Sequence, residues 1–302
     1  MKSRKTILLT GATGFLGSHI LRELIEIDKY NIIVLKRSFS NCYRISSIPS
    51  VYVKYYDTDV VDVDEIYAEN KVNIIIHTAT EYGRSINKIT EILDTNLIFP
   101  LSLLEEGVNQ GLELFVNTDS FFNKDNLSYS TLIDYSLSKK SLNIWLAYLS
   151  SKAKIANMRI EQMFGENDNK DKFVESMIQR IAIKKEKKID LTYGHQRRDF
   201  VYVDDVVNAF LTILDTYESY KFHYKIFEVG TGSSVQLRDF ILKIKEISES
   251  PTILNFGALP YRNDEIMDSK ADCSELQNLG WNSKYDYSAG IAKTIKYYSQ
   301  GR

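Results

Sequence analysis

Short apolar runs alternate with longer amphipathic stretches through the first 160 residues. The apolar runs predict six β-strands, at 7–9, 31–35, 51–55, 73–77, 112–116 and 155–160. Helical patterns lie between them, at 18–27, 63–70, 86–106 and 134–149. Three consecutive isoleucines in the run at 73–77 are typical of a strand buried on both faces. The alternation predicts an α/β fold with a doubly wound parallel sheet of the Rossmann type.

The pattern loosens after residue 165, where loops and short helices replace the regular alternation. We therefore expect a dinucleotide-binding domain over 1–160, which a segment at 195–225 rejoins. The stretches 161–194 and 226–302 are expected to form a smaller C-terminal lobe that binds substrate. Ligands of such folds bind at the carboxyl ends of the strands.

The glycine pattern of residues 10–17 is the most specific feature of the chain. It follows the first predicted strand directly and begins a helix. Gly11 permits a tight turn, Gly14 lets the backbone approach a pyrophosphate, and Gly17 lets helix and strand pack closely. The helix N-terminus presents free N–H groups to the phosphate charge. The motif predicts a dinucleotide site, to which Thr13, Phe15 and Leu16 also contribute.

The end of the second strand bears on which dinucleotide binds. Enzymes that prefer NAD usually carry an acidic residue there, whereas this strand ends in Lys36, Arg37 and Ser38. Arg37 can pair with a 2′-phosphate, and Ser38 can donate a hydrogen bond. The pattern favours NADP(H), with NAD(H) as the alternative.

Further cofactor contacts are expected after the third and fourth strands. Asp59 follows the third strand and is expected near the adenine. Ala79 and Thr80 follow the fourth strand and are expected to line the pyrophosphate and the nicotinamide ribose.

A Tyr-x-x-x-Lys pair, Tyr135 and Lys139, opens the helix that follows the fifth strand. The spacing places both side chains on one helix face. The ammonium would lower the pKa of the phenol, which could then exchange a proton with a carbonyl or hydroxyl during hydride transfer. The hydroxyl of Thr118, at the end of the fifth strand, could polarise the same carbonyl.

Composition excludes several classes of protein. The 302 residues include 38 basic and 40 acidic side chains, so no charge excess favours nucleic acid or a membrane surface. Two cysteines indicate no disulfide framework and a reducing compartment. The N-terminal apolar run is too short for a signal peptide or a membrane helix. We expect a cytoplasmic protein with no metal site.

The chain resembles the extended short-chain dehydrogenase/reductase superfamily, in its nucleotide-sugar branch. The shared motifs cover nearly the whole chain, at 10–17, 77–79, 95–96, Thr118 with Tyr135 and Lys139, 159–165, 194–205 and 227–232. The resemblance implies a Rossmann fold, a nicotinamide cofactor that Asn96 also helps to bind, and a nucleoside-diphosphate sugar substrate. It also implies a homodimer through the helices at 86–106 and 134–149, where Ile144, Trp145 and Tyr148 could form an apolar patch.

Within that branch, the residues after the fifth strand separate the activities. The 4,6-dehydratases carry Thr-Asp-Glu there, with Asp as acid and Glu as base, whereas this chain has Thr118, Asp119 and Ser120. Because Ser120 stands where the dehydratases carry the glutamate base, we do not expect this chain to catalyse dehydration. The segment 117–124 is most similar to the CDP-abequose and CDP-paratose synthases, which are NDP-4-keto-6-deoxy-sugar reductases.

This resemblance implies NADPH-dependent reduction of a C4 keto group, of a 6-deoxy or 3,6-dideoxy sugar, for bacterial O-antigen or capsule synthesis. Thr118 would bond the C4 oxygen, Tyr135 would protonate it, and Lys139 would bind the ribose. Arg198 and Arg262 match positions that grip the diphosphate. Two alternatives stay open: an NDP-sugar epimerase with bound NAD, and a non-catalytic dinucleotide-sensing protein.

Overall fold

The computed structural model of the chain describes residues 4–83, 88–124 and 132–300. These residues form two compact units. Of the described residues, the first unit comprises 4–83, 88–123, 132–159 and 210–227, and the second comprises 124, 160–209 and 228–300. Of the segment 195–225, only the part from Phe210 onward lies in the first unit.

A seven-stranded sheet organises the first unit, in the order β11-β6-β5-β4-β1-β2-β3. The strands are β1 (Thr6–Thr10), β2 (Asn31–Lys36), β3 (Lys54–Asp57), β4 (Ile74–His77), β5 (Leu114–Ser120), β6 (Lys154–Ile160) and β11 (Tyr224–Val229). β1 pairs in parallel with both β2 and β4. The strand order therefore reverses at β1, which is where ligands bind in doubly wound sheets.

Two of these strands differ from their predicted bounds by more than one residue at an end, and β11 was not among the predicted strands. β3 begins at Lys54 because Ser50–Tyr52 forms a 3₁₀ turn. β5 continues to Ser120, so the polar residues beyond the predicted end of the strand lie on the strand itself.

The helices of the first unit pack on the sheet. They are α1 (Phe15–Ile27), α2 (Val63–Glu69), α3 (Ile89–Leu93), α4 (Phe99–Asn109) and α5 (Ile133–Leu149). The long helix predicted at 86–106 is divided by a π-helical turn at Asp94–Ile98, and its first two residues lie outside the described ranges. Leu8, Ile75 and Phe115 lie at the centre of the apolar core that these elements enclose.

The second unit is built from short strands and helices. Its strands are β7 (Gln162–Phe164), β8 (Lys188–Leu191), β9 (Arg197–Arg198), β10 (Phe200–Tyr202), β12 (Val235–Gln236), β13 (Ile253–Phe256) and β14 (Asp268–Ser269). Its helices are α6 (Phe173–Ile178), α8 (Leu237–Ile247), α9 (Ser274–Asn278) and α10 (Tyr287–Ser299), and α7 (Val203–Thr216) runs from this unit into the first. Phe164, Phe200 and Phe240 form its aromatic centre. Within the described ranges, no helix has the length and apolar character needed to cross a membrane.

The turn between β1 and α1 depends on its glycines. Gly11 has φ 72°, a left-handed conformation that favours glycine, and its carbonyl accepts a hydrogen bond from the Gly14 N–H at 2.9 Å. A Cβ at Gly17 would lie 2.2 Å from that same carbonyl oxygen. Only a glycine at position 17 lets α1 approach the turn this closely.

The substitution Gly17→Ala should therefore lower the free energy of unfolding by about 1–3 kcal/mol, the usual cost of overpacking. Gly14→Ala is the matched control, because its added Cβ would lie 3.1 Å from the same oxygen and should cost less. Urea denaturation of the three proteins measures the difference. Equal stability of Gly17→Ala and the wild type would contradict the close approach.

Candidate active site

The N-terminus of α1 has the features of an anion site. Gly14 precedes the helix, no acidic side chain lies in its first turn, and the Phe15 and Leu16 side chains are buried. The backbone N–H groups of this turn are consequently the groups that can meet a ligand, next to Thr13 and Gly14. A pyrophosphate fits such a helix N-terminus in both charge and space.

The loop after β2 holds the residues predicted to choose the dinucleotide. The Ser38 N–H and hydroxyl donate to the Asp59 carboxylate at 2.7 and 2.6 Å, which lowers the pKa of that carboxyl group. The Arg37 guanidinium lies over the Phe39 ring, 4.9 Å from its centre. The structure thus brings Ser38 and Asp59 together, with the Ser38 donors already engaged.

A second arginine in this loop was missed by the sequence reasoning. Arg44 donates from Nη1 to the Thr13 carbonyl at 3.2 Å, and its guanidinium lies over the Tyr43 ring, 4.6 Å from its centre. Arg44 is therefore anchored to the glycine turn itself. The sequence signal that could have found it is a second arginine seven residues after Arg37, in the same predicted loop.

The carboxyl end of β4 is fixed by buried polar groups. The Thr10 hydroxyl accepts from the Ala79 N–H at 3.2 Å. Asn96, in the π-helical turn, is completely buried, and its amide bonds the Thr80 hydroxyl, both backbone groups of Glu81 and the Ser138 hydroxyl. These four bonds use the full capacity of the amide. Asn96 therefore holds the loop that carries Ala79 and Thr80, and its predicted part in binding the cofactor stays a prediction.

The predicted catalytic residues meet at the end of β5. The Lys139 ammonium donates to the Thr118 carbonyl at 2.9 Å, and the Tyr135 phenol is hydrogen-bonded to the Ser120 side chain. The Thr118 hydroxyl is buried and finds no hydrogen-bond partner among the described residues. Tyr82, which the sequence reasoning also missed, stacks on the Tyr135 ring with 4.9 Å between centroids.

Burial shifts the pKa values of Tyr135 and Lys139. It raises the pKa of Tyr135 well above its usual value, and the neighbouring Tyr82 and Asp119 raise it further. Burial lowers the pKa of Lys139 to about 8, against the opposing effect of Asp119. Near neutral pH the site therefore holds a protonated phenol beside a charged ammonium.

Asp119 lies among amide side chains of α5 and β6 at the end of β5. Its side chain is completely buried, and its carboxylate accepts from the Ser120 N–H, Asn123, Asn143 and Asn157 at 2.6–3.0 Å. The Arg159 Nε lies 3.7 Å away. The carboxylate is thus held by protein donors on every side.

In the second unit, Arg198 and Arg262 lie near one acidic residue. The Arg198 guanidinium contacts the Glu265 carboxylate at 2.6 Å and also donates to two backbone carbonyls. The Arg262 carbonyl accepts from the Glu265 N–H at 3.3 Å, and its side chain is exposed. The Arg198 guanidinium is therefore paired with Glu265, and its predicted role at the diphosphate stays a prediction.

A buried ionic cluster lies elsewhere in the second unit. The Lys124 ammonium contacts the Glu161 carboxylate at 2.6 Å and that of Glu228 at 2.9 Å. The Ser269 hydroxyl donates to Glu161 at 2.8 Å, and burial raises the pKa of that carboxyl group. These bonds join the junction of β6 and β7 to β11 and β14.

Known proteins are similar to this chain in sequence, and solved structures are similar to it in fold. CDP-abequose synthase from Salmonella typhimurium is 33% identical over 97% of this chain and 98% of its own length. The CDP-abequose synthase of Salmonella muenchen is 35% identical over 96% and 97%. The UDP-glucose 4-epimerase structure from Thermotoga maritima superposes with a TM-score of 0.83 at 24% identity, over 98% of this chain and 99% of that one.

The sequence profile of the NAD dependent epimerase/dehydratase family matches residues 7–230. That range includes the glycine turn, the end of β5 and the Tyr135–Lys139 pair of α5. The chain therefore belongs to the NAD dependent epimerase/dehydratase family, and it is an enzyme of that family.

Proposed function

We propose that the protein reduces the C4 keto group of a nucleoside-diphosphate 4-keto-6-deoxy sugar, of the 6-deoxy or 3,6-dideoxy type, with NADPH. Full-length similarity to two CDP-abequose synthases supports the substrate class. The observation that carries the proposal is that Tyr135 and Lys139 meet the end of β5, where the buried Thr118 hydroxyl finds no partner among the described residues. A phenol and a hydroxyl at one strand end suit a carbonyl oxygen that gains a proton.

The glycine turn fits a dinucleotide, because it is kept free of side chains: one at Gly11 would collide with the Thr78–Ala79 backbone, and one at Gly17 would collide with the Gly11 carbonyl. When bound, the dinucleotide supplies the hydride that reduces the C4 carbon. Thr118 holds the C4 oxygen by a hydrogen bond, and Tyr135 gives it a proton as negative charge develops there. Lys139, fixed by the Thr118 carbonyl, holds the ribose and stabilises the phenolate that remains.

The same geometry argues against dehydration. That reaction needs a free acid and a base at positions 119 and 120, but Asp119 is enclosed by donors and Ser120 is not a base.

We assign the diphosphate of the substrate to Arg198 and Arg262. A diphosphate offers the same planar oxygen pairs as the Glu265 carboxylate that Arg198 now binds. The ligand would therefore take the place of Glu265 rather than fill an open fork.

NADPH is favoured by the basic side chains around the loop after β2. Arg37 and Arg44 both project from this loop, and Arg44 is anchored to the glycine turn. The 2′-phosphate of NADPH needs such partners, whereas no carboxylate ends β2 to bind the 2′-hydroxyl of NADH.

A homodimer through α5 accompanies this proposal. Leu137, Ile144, Trp145 and Tyr148 are exposed along one side of the helix, opposite the side that carries Tyr135. Ile98, in the π-helical turn next to α5, is exposed as well. A continuous apolar stripe of this kind is typical of an interface between two copies of a chain.

The first test measures NADPH consumption against CDP-, dTDP- and GDP-linked 4-keto-6-deoxy sugars. Turnover should fall by about a hundred- to ten-thousandfold in Tyr135→Phe, because the phenol donates the proton. Tyr67→Phe is the matched control: Tyr67 has the same spacing to a lysine, but its hydroxyl bonds only the Leu103 carbonyl. Absence of turnover across the panel, with NAD released on denaturation, would replace the reductase by an epimerase.

The second test measures cofactor affinity by quenching of protein fluorescence. Arg44→Ala should weaken NADPH binding by about ten- to a hundredfold, the effect of losing one charged hydrogen bond, and leave NADH binding nearly unchanged. Arg4→Ala, which removes an exposed arginine paired with Asp28, is the control. Equal loss of affinity for both dinucleotides would overturn the assignment of Arg44 to the 2′-phosphate.

The third test is sedimentation velocity. The wild type should run as two chains, and the double variant Ile144→Asp/Trp145→Asp should run as one, because two buried carboxylates would oppose association. Leu242→Asp places a charge on a comparably exposed leucine of α8 and should leave the dimer intact. A monomeric wild type would contradict the dimer.

A further inference from the structure

Three residues on one side of α5 face the end of β5, one helical turn apart. Tyr135 meets the Ser120 side chain, Lys139 meets the Thr118 carbonyl, and Asn143 meets the Asp119 carboxylate at 2.8 Å. The spacing i, i+4, i+8 places them in one row. Only the third contact involves neither of the two predicted catalytic residues of the helix.

The Asp119 end of this third contact is tied to other elements. The same oxygen that accepts from Asn143 accepts from Asn157 of β6 at 3.0 Å. The other oxygen accepts from Asn123, which follows β5, at 2.6 Å. The Asn157 amide also contacts the Asn143 amide oxygen at 3.2 Å, which closes a ring of three side chains across α5, β5 and β6.

We propose that Asp119 is a positioning residue for the reaction proposed above, and that its carboxylate, held between Asn143 and Asn157, keeps α5 in register with β5 and so sets where Tyr135 and Lys139 stand. This inference rests on the proposed function for the reaction that it serves. It does not depend on the identity of the sugar.

A rigid link at Asn143 determines the height of the helix at Lys139, one turn away, and at Tyr135, two turns away. Both contacts of the catalytic pair are single hydrogen bonds to β5, so a slip of α5 along the strand would break them together. Asp119 is suited to prevent that slip because a buried carboxylate with one donor removed is strongly destabilised.

Asp119 also acts on the pair through its charge. It raises the pKa of Lys139 and that of Tyr135. The titratable and charged groups that face Asp119 and Lys139 from the packed elements are Tyr135 on α5, His77 on β4, Tyr82 after β4, Arg159 on β6 and Tyr224 on β11.

Burial lowers the pKa of His77 well below its usual range and raises that of Tyr224 to about 12, so neither group changes charge near pH 8. Removing the Asp119 charge should therefore lower the pKa of Lys139 below its value of about 8.

The experiment compares Asp119→Asn, Asn143→Ala and the exchange variant Asp119→Asn/Asn143→Asp, with Asn73→Ala as control. Asn73 bonds the Thr6 N–H and Glu113 at the amino ends of the strands. Asn73→Ala therefore removes two side-chain hydrogen bonds from the sheet but leaves the contacts between α5 and β5 unchanged. Two readouts are taken across pH: kcat for the keto sugar, and NADPH affinity by fluorescence, which needs no sugar.

Asn143→Ala should lower kcat by about ten- to a hundredfold, the cost of a misplaced catalytic group, with the pH midpoint unchanged. Asp119→Asn should lower kcat similarly and move the alkaline loss of NADPH affinity down by about one pH unit. The exchange variant, which restores one carboxylate to the ring, should recover part of both losses, while Asn73→Ala should match the wild type in both readouts.

The proposal would be overturned if Asp119→Asn kept the kcat and the pH midpoint of the wild type. It would also be overturned if the exchange variant recovered neither kcat nor the pH midpoint relative to Asp119→Asn. If the wild type reduces none of the sugars, the proposed function fails, whereas the shift in NADPH affinity still decides the role of Asp119.

Discussion

One row of paired residues crosses the first unit at the carboxyl ends of three strands. Thr10 of β1 is in register with His77 of β4, which is in register with Asn117 of β5. The segments that follow these residues therefore leave the sheet side by side. One of them is the glycine turn, the second carries Ala79 and Thr80, and the third is the strand end that begins at Thr118. The dinucleotide turn and the catalytic groups depend on this register for their proximity.

Polar side chains line this row, and each makes at least one hydrogen bond. The Thr10 hydroxyl and the His77 Nδ1 lie 2.9 Å apart, and the Asn117 amide donates to the Asn157 oxygen at 2.7 Å. A buried polar group without a partner would cost about 1–3 kcal/mol, so these bonds limit how the strand ends can move. Among the described residues, His77 Nε2, Asn117 Oδ1 and the Thr118 hydroxyl are buried here without a partner, so the row still has polar capacity at the edge where the glycine turn lies.

The sequence predicted those parts of the site that are encoded locally. The parallel character of the sheet, the glycine turn and the shared helix face of Tyr135 and Lys139 follow from short spacings along the chain. The parts it missed depend on residues that are far apart in the chain. Arg198 is engaged by Glu265, and the Asn143 amide finds its acceptor in Asp119. Neither partner is signalled by a motif.

Local polarity was also misleading at two places. The polar run that ends β5 reads as a loop, because strand propensity is low there, yet its bonds to α5 and β6 keep it extended. The π-helical turn within the predicted long helix has no marker in composition. It gives buried Asn96 the position from which its amide reaches the loop after β4.

The bonds around Asp119 restrict how this enzyme could acquire a new chemistry. Its carboxylate accepts from Asn123, Asn143 and Asn157, which belong to three different segments of the chain. Introducing a glutamate at position 120 would supply a base but would leave this carboxylate enclosed. Freeing the carboxylate would also remove the hydrogen bonds that join α5 and β6 to the end of β5, so that change would cost stability. A side chain that holds three segments together cannot be released for acid chemistry without loss to the fold.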